Sequence, residues 1–189
     1  MPEIHFYSIS HGVYEDAGNA LPVSYGVVDT PQGKAFISES SGRIIYFSLT
    51  EDEEGALSDF KKSWYQTKPS HRPEHCQKIA DSIFKPSAAE GCVRLLVLGS
   101  EFQISVWQEL AHIEQGTVTT YKEIAERIGQ PDAVLAVATA VGENPVAYLL
   151  PCHRVVRTDG TLGKYRWGQE YKRSFLSQEG YDLNQLTTA

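Results

Sequence analysis

Apolar and polar residues are patterned differently in the two halves of this chain. In the first half, Ser24–Asp29, Lys34–Glu39 and Arg43–Leu49 are rich in β-branched and aromatic residues, the composition of half-buried strands. Thr30-Pro31-Gln32-Gly33 and Ser40-Ser41-Gly42 lie between them and are good turn material, so the pattern predicts an antiparallel meander. Leu57, Phe60 and Trp64 then recur at spacings of three and four, which predicts a helix over Glu53–Tyr65. Cys76, Ile79, Ala80 and Ile83 form one stripe of a second helix, Pro73–Phe84. Pro86 to Gly91 reads as a linker, and Val93–Leu98 as a short apolar run that fits strand or helix.

The second half reads as helices with clear start signals. Ser100 and Gln103 have the spacing of a capping box ahead of Phe102, Val106, Leu110 and Ile113. Thr120 and Glu123 repeat it ahead of Ile124 and Ile128. Gly129 ends that helix, and Pro131 sits where a new one can start, over Asp132–Val141. Two short helices joined at this corner are a helix-turn-helix candidate. Val155–Arg157 and Thr161–Tyr165 flank Thr158-Asp159-Gly160 and predict a hairpin, or wing. A last helix is expected over Lys172–Ser177.

Composition narrows the class. The chain has 189 residues, 41% hydrophobic and 22% charged, enough for one large domain or two small ones. No apolar run approaches the roughly 20 residues of a membrane helix, and the first residues lack a secretion signal. Three cysteines without repeated spacing argue against a disulfide framework and for a reducing cytoplasm. The net charge of −7 argues against a generic nucleic-acid coat, but it is unevenly spread. Residues 1–100 carry a net of −4, whereas residues 151–175 carry +4.

That basic cluster surrounds Pro151-Cys152-His153-Arg154. A thiol is a strong nucleophile only as thiolate, and neighbouring His or Arg favours that form. Cys152 is therefore either a nucleophile or a small buried hydrophobe. Adjacent side chains rarely touch, so His153 is expected to act through a water and to need an orienting acid, for which several residues qualify. No zinc site is expected: the cysteines lack paired spacing, and His71, His75 and Cys76 have no evident fourth ligand. Glycine-rich phosphate loops are absent. Tyr165-Arg166-Trp167-Gly168 suits either packing or a lid over a planar ligand.

From Phe102 to Gly180 the chain resembles the O6-alkylguanine-DNA alkyltransferases. The matching residues include Phe102-Gln103, Val106-Trp107, Thr120-Tyr121, Glu123-Ile124-Ala125, Ile128-Gly129, Asn144-Pro145, Pro151 to Val156, Asp159-Gly160, Tyr165 to Gly168, Lys172 and Glu179-Gly180. The resemblance implies an α/β fold. Residues 1–92 would form an N-terminal ribonuclease-H-like α/β domain, and residues 93–189 a C-terminal, mostly helical, winged helix-turn-helix domain.

The implied activity is irreversible transfer of an alkyl group from O6 of a flipped guanine to Cys152, on double-stranded DNA, by a monomer needing no cofactor or metal. A thioether has no readily displaced group, so one chain would repair one lesion. The resemblance assigns Tyr121 as donor to the leaving guanine, and His153 as water-linked base held by Glu179. It makes Asn144 the hinge of the cysteine loop and Val155 and Tyr165 pocket walls. Arg166, Arg154 and Thr120 become contacts to the nucleotide.

One departure stands out. The family presents an arginine from its recognition helix to fill the gap left by the flipped base, and here that position is Leu135. Pro131–Val141 contains no Lys or Arg, and Asp132 adds a negative charge. Leucine can wedge into a stack but cannot hydrogen-bond the orphan base, so weaker duplex affinity and weaker salt dependence are expected. The alternative is a core-facing Leu135. Other functions compatible with the pattern are a lesion sensor, disfavoured because Cys152 is present, a transcriptional regulator using the helix-turn-helix, and a cysteine hydrolase.

Overall fold

The three strand-like runs pair as a meander in the computed structural model, which describes residues 3–17, 20–84 and 92–187. The chain divides into two units. One is built from residues up to Glu101 with Pro145–Ala147, the other from Phe102–Asn144 and from Tyr148 onward. The expected linker over 86–91 lies outside the described residues.

In the first unit, β1 (Glu3–Ile9) is followed by α1 (His11–Ala17), β2 (Ser24–Thr30), β3 (Gly33–Ser40) and β4 (Arg43–Leu49). Then come α2 (Glu53–Ser63), β5 (Ser70–His71), α3 (Pro73–Phe84) and β6 (Cys92–Leu98). The sheet order is β1-β6-β4-β3-β2-β5. β2, β3 and β4 are antiparallel, while β6 runs parallel to β1 along its whole length, from Glu3↔Cys92 to Ile9↔Leu98.

This pairing corrects the boundary expected between 92 and 93, which falls inside β6. β6 is the strand that joins β1 to β4, so it belongs to the sheet. A core of Tyr14, Phe36, Tyr46, Phe60 and Trp64 packs between sheet and helices. α3 packs on β2 at Gly26, where a Cβ would stand 2.6 Å from the Pro73 Cα, so only glycine fits.

The second unit holds α4 (Glu101–Ala111), β7 (Thr119–Thr120), α5 (Tyr121–Arg127) and α6 (Val134–Gly142). A 3-10 turn (Cys152–Arg154), β8 (Val155–Val156), α7 (Gln169–Gln178) and a last 3-10 turn (Leu183–Gln185) complete it. Val106, Trp107, Leu110, Ile124, Val137, Ala140 and Phe175 are all buried. The Trp107 indole N–H donates to the Ala140 carbonyl at 2.8 Å and fixes α6 against α4. The Thr120–Glu123 capping box forms as expected. α6, however, begins at Val134, not Asp132. The Ala133 N–H bonds the Gln130 carbonyl, so Pro131 and Asp132 lie within a turn.

The expected wing is also different. β8 pairs in parallel with β7, not with 161–165. Beyond β8 the two arms share an Arg157 N–H bond to the Thr161 carbonyl, closed by the Asp159-Gly160 turn. The Val155 and Leu162 carbonyls, which a hairpin ladder could have used, both accept from the Lys172 ammonium.

Candidate active site

Cys152 opens the 3-10 turn that follows Pro151. It is only 3% exposed, yet it lines an open cavity of about 690 Å³. Asn144, buried after α6, uses its amide N–H groups twice: toward the Leu150 carbonyl at 2.8 Å and the Cys152 sulfur at 3.0 Å. One side chain thus fixes both the loop and the nucleophile candidate.

The next two residues of the turn belong to a buried charge chain. His153 Nε2 donates to Glu179 Oε1 at 2.9 Å. The Arg154 Nε and Nη2 groups donate to the two oxygens of the same carboxylate, each at 2.8 Å. Arg154 Nη1 donates to the Ile113 carbonyl at 2.5 Å. Burial opposes the charge on Glu179, but the hydrogen bonds from His153 and Arg154 outweigh it and hold the carboxyl at about 2. An ionised carboxylate only accepts, so Nε2 carries the imidazole hydrogen and Nδ1 presents a lone pair. Nδ1 is buried and has no hydrogen-bond partner among the described residues. Burial depresses the His153 pKa despite Glu179, so the ring is neutral near pH 7. The Tyr148 ring stacks on it at 5.7 Å and 14°, and Phe175 meets it edge-on at 5.3 Å.

This environment corrects the expectation that neighbouring His and Arg hold Cys152 as thiolate. Burial pushes the thiol up, against the Asn144 hydrogen bond, the Lys172 charge and Tyr165. His153 is neutral, and the Arg154 charge is matched by Glu179. The resting sulfur is therefore a thiol. Lys172 is the cation that does act on it. Buried on α7, it is pulled down by burial to about 8, with Cys152 acting in the opposite direction.

Tyr121 begins α5 and also lines the cavity. The β7–β8 pairing brings it to the cysteine loop. Burial and then Cys152 raise its pKa, while Arg157 lowers it, so the phenol keeps its proton near pH 7. Gly163, at φ 69°, lies against it: a Cβ there would stand 3.2 Å from the Tyr121 hydroxyl.

Comparison with known proteins gives the chain a family. The family model for the 6-O-methylguanine DNA methyltransferase DNA-binding domain matches residues 101–181. The methylated-DNA–protein-cysteine methyltransferase of Saccharomyces cerevisiae is 43% identical over 172 residues, covering 82% of this chain and 92% of its own. The chain belongs to the O6-methylguanine DNA methyltransferase family. The bifunctional transcriptional activator/DNA repair enzyme Ada of Escherichia coli is 33% identical over 88% of this chain. The chain spans about half the length of that relative and of the Salmonella typhimurium regulatory protein ada, 48% of each. A crystal structure of Mycobacterium tuberculosis OGT in complex with DNA has a TM-score of 0.67 and 28% identity, covering 87% of this chain and 96% of that one.

Of the other residues that the methyltransferase resemblance singled out, Leu135, Tyr165 and Arg166 line the same cavity. Tyr165 lines the cavity, and its buried hydroxyl is directed at the Cys152 side chain. Burial, followed by the charge of Cys152, raises its pKa well above the usual value. Arg166 also lines the cavity, 5.7 Å from the Trp167 ring centroid. Leu135 is 82% exposed at the cavity edge, which excludes a core-facing role.

Two assignments are corrected, those of Arg154 and Val155. Arg154 is 4% exposed and committed to Glu179 and Ile113, so it cannot reach a nucleotide. Val155 is fully buried in β8 and is not among the cavity residues. Thr120 uses its hydroxyl in the capping box with Glu123. Sequence reasoning assigned no role to Lys172, whose signal was a basic residue on an otherwise buried helix stripe. No group of His, Cys, Asp or Glu among the described residues could hold a metal ion. His71 and His75 instead pair with Glu53 and Glu39 at 3.2 and 3.0 Å. No described helix is long and apolar enough to cross a membrane.

Proposed function

We propose that this chain repairs O6-alkylguanine in double-stranded DNA by moving the alkyl group irreversibly to Cys152. The observation that carries the reading is a buried cysteine at the wall of a cavity large enough to admit a base, followed in the chain by an imidazole with one nitrogen tied to a carboxylate. A guanine inside a duplex cannot reach such a sulfur, so the base must leave the stack to react. The thiol proton passes to His153 Nδ1 through a solvent molecule as the lesion enters, and Glu179 stabilises the imidazolium. The sulfur then attacks the alkyl carbon in line. An S–C bond forms as the C–O6 bond breaks, and the electron pair stays on guanine. The Tyr121 phenol supplies the proton that keeps the leaving base neutral. Asn144 holds the sulfur, and the Lys172 ammonium favours its anion during attack.

The product thioether has no readily displaced group, so the chain acts once. Titration with a duplex carrying one O6-methylguanine should consume lesions up to one per chain and then stop. Continued turnover, or no consumption at any ratio, would contradict the reading.

A further inference from the structure

The charge pattern of the cavity is opposite to that of the chain. Its lining includes Arg157, Lys164 and Arg166 and no carboxylate, in a protein of net charge −7. All three cations are exposed. The part contributed by α6, including Leu135, Ala138 and Thr139, is uncharged.

The loop that carries the cations is well anchored. The Asp159 carboxylate, the acid nearest to Arg157 in sequence, accepts from the Thr161 N–H at 2.9 Å and hydroxyl at 2.7 Å. The Leu162 carbonyl is held by Lys172, and the Gly163 carbonyl by the Gln169 amide at 3.0 Å. Arg157 runs beside Tyr121: its Cγ lies 3.6 Å from where a Cβ on Gly163 would stand, with the Tyr121 hydroxyl 3.2 Å from the same point. Aromatic walls, Tyr165 and Trp167, stand next to the cations. A cavity with aromatic walls for a base and cations at its edge fits a nucleotide with its flanking phosphates.

We propose that the 157–166 loop is the phosphate grip of this protein, with Arg157 and Lys164 joining Arg166 on the backbone of the strand whose base enters the cavity. The partner is duplex DNA, and the proposal rests on the base-flipping reading above. It places the electrostatic part of binding on this loop and leaves α6 as an apolar wedge.

The test is the salt dependence of binding to a short duplex carrying one O6-methylguanine. It compares wild type with Arg157→Gln, Lys164→Gln, the double variant, and Arg173→Gln as an equal charge change on α7 outside the cavity. Each lost phosphate contact lowers the slope of log K against log salt by about 0.9. The double variant should lose roughly 2 from the slope, and Arg173→Gln nothing. An unchanged slope in the double variant overturns the proposal, as does an equal change in Arg173→Gln or a wild type that binds no duplex at low salt. Alkylation of wild-type Cys152 by O6-benzylguanine free base tests the repair reading separately, because that probe carries no phosphate.

Discussion

Arg154→Met isolates the charge chain of His153, Arg154 and Glu179. The guanidinium gives two hydrogen bonds to Glu179 and one to the Ile113 carbonyl, and the side chains of Arg154 and Glu179 are 4% and 3% exposed. Removing one partner of a buried ion pair leaves an uncompensated charge, which costs about 3–5 kcal/mol. The carboxyl itself gives a second figure. A group held at about 2 instead of 4.5 favours its ionised form by about 3 kcal/mol, shared between Arg154 and His153.

The folded pKa is depressed, so this stability is fully present above pH 4.5 and lost as pH falls toward about 2. Urea unfolding of both proteins, at pH 7 and down an acid series, reads both effects. The variant should lose about 3 kcal/mol at pH 7, and its remaining acid-sensitive loss should move to higher pH. Arg154→Lys, which keeps the charge but not the fork, should fall between. A loss below about 1 kcal/mol at pH 7 with an unmoved acid transition would refute the account of Glu179.

Three further outcomes follow from the same geometry. Lys172→Met leaves the Val155 and Leu162 carbonyls unpaired and should cost about 2–5 kcal/mol in urea unfolding; it should also shift Cys152 alkylation to higher pH, and retention of the wild-type profile would argue against Lys172 acting on the sulfur. The rate of wild-type alkylation by a small probe should rise with pH above neutrality, because burial raises the thiol and only the anion attacks; a flat profile would mean a preformed thiolate. Leu135→Arg puts a cation on a helix tip that is 82% exposed, so duplex affinity and its salt slope should both rise. Unchanged affinity in a filter-binding or anisotropy assay would contradict the wedge argument.

The elements readable from sequence were those fixed by near neighbours. The β2–β4 meander followed from β-branched runs and turn residues, and the α5 start from Thr120 and Glu123. β6 was ambiguous as a six-residue apolar run because its character comes from parallel pairing with β1, about 90 residues away in the chain. The wing failed for a similar reason: the Asp159-Gly160 turn is present, but Lys172 from α7 takes carbonyls the ladder could have used. At the site, Asn144 meets the Cys152 sulfur, Tyr121 lines the same cavity, and His153 is tied to Glu179. Arg154 does not line that cavity, because its partner Glu179 lies 25 residues onward and its charge is spent inside the fold. The protonation state of the sulfur was also illegible, since it depends on burial and not on the residues adjacent in sequence.

The most direct measurement is the mass of the cysteine-containing peptides after one exposure to O6-methylguanine duplex. A single methyl group should be found on the Cys152 peptide, with Cys76 and Cys92 unchanged and the Cys152→Ala protein unmodified. Methyl on either other cysteine, or an unmodified Cys152 under conditions where the duplex is bound, contradicts the assignment.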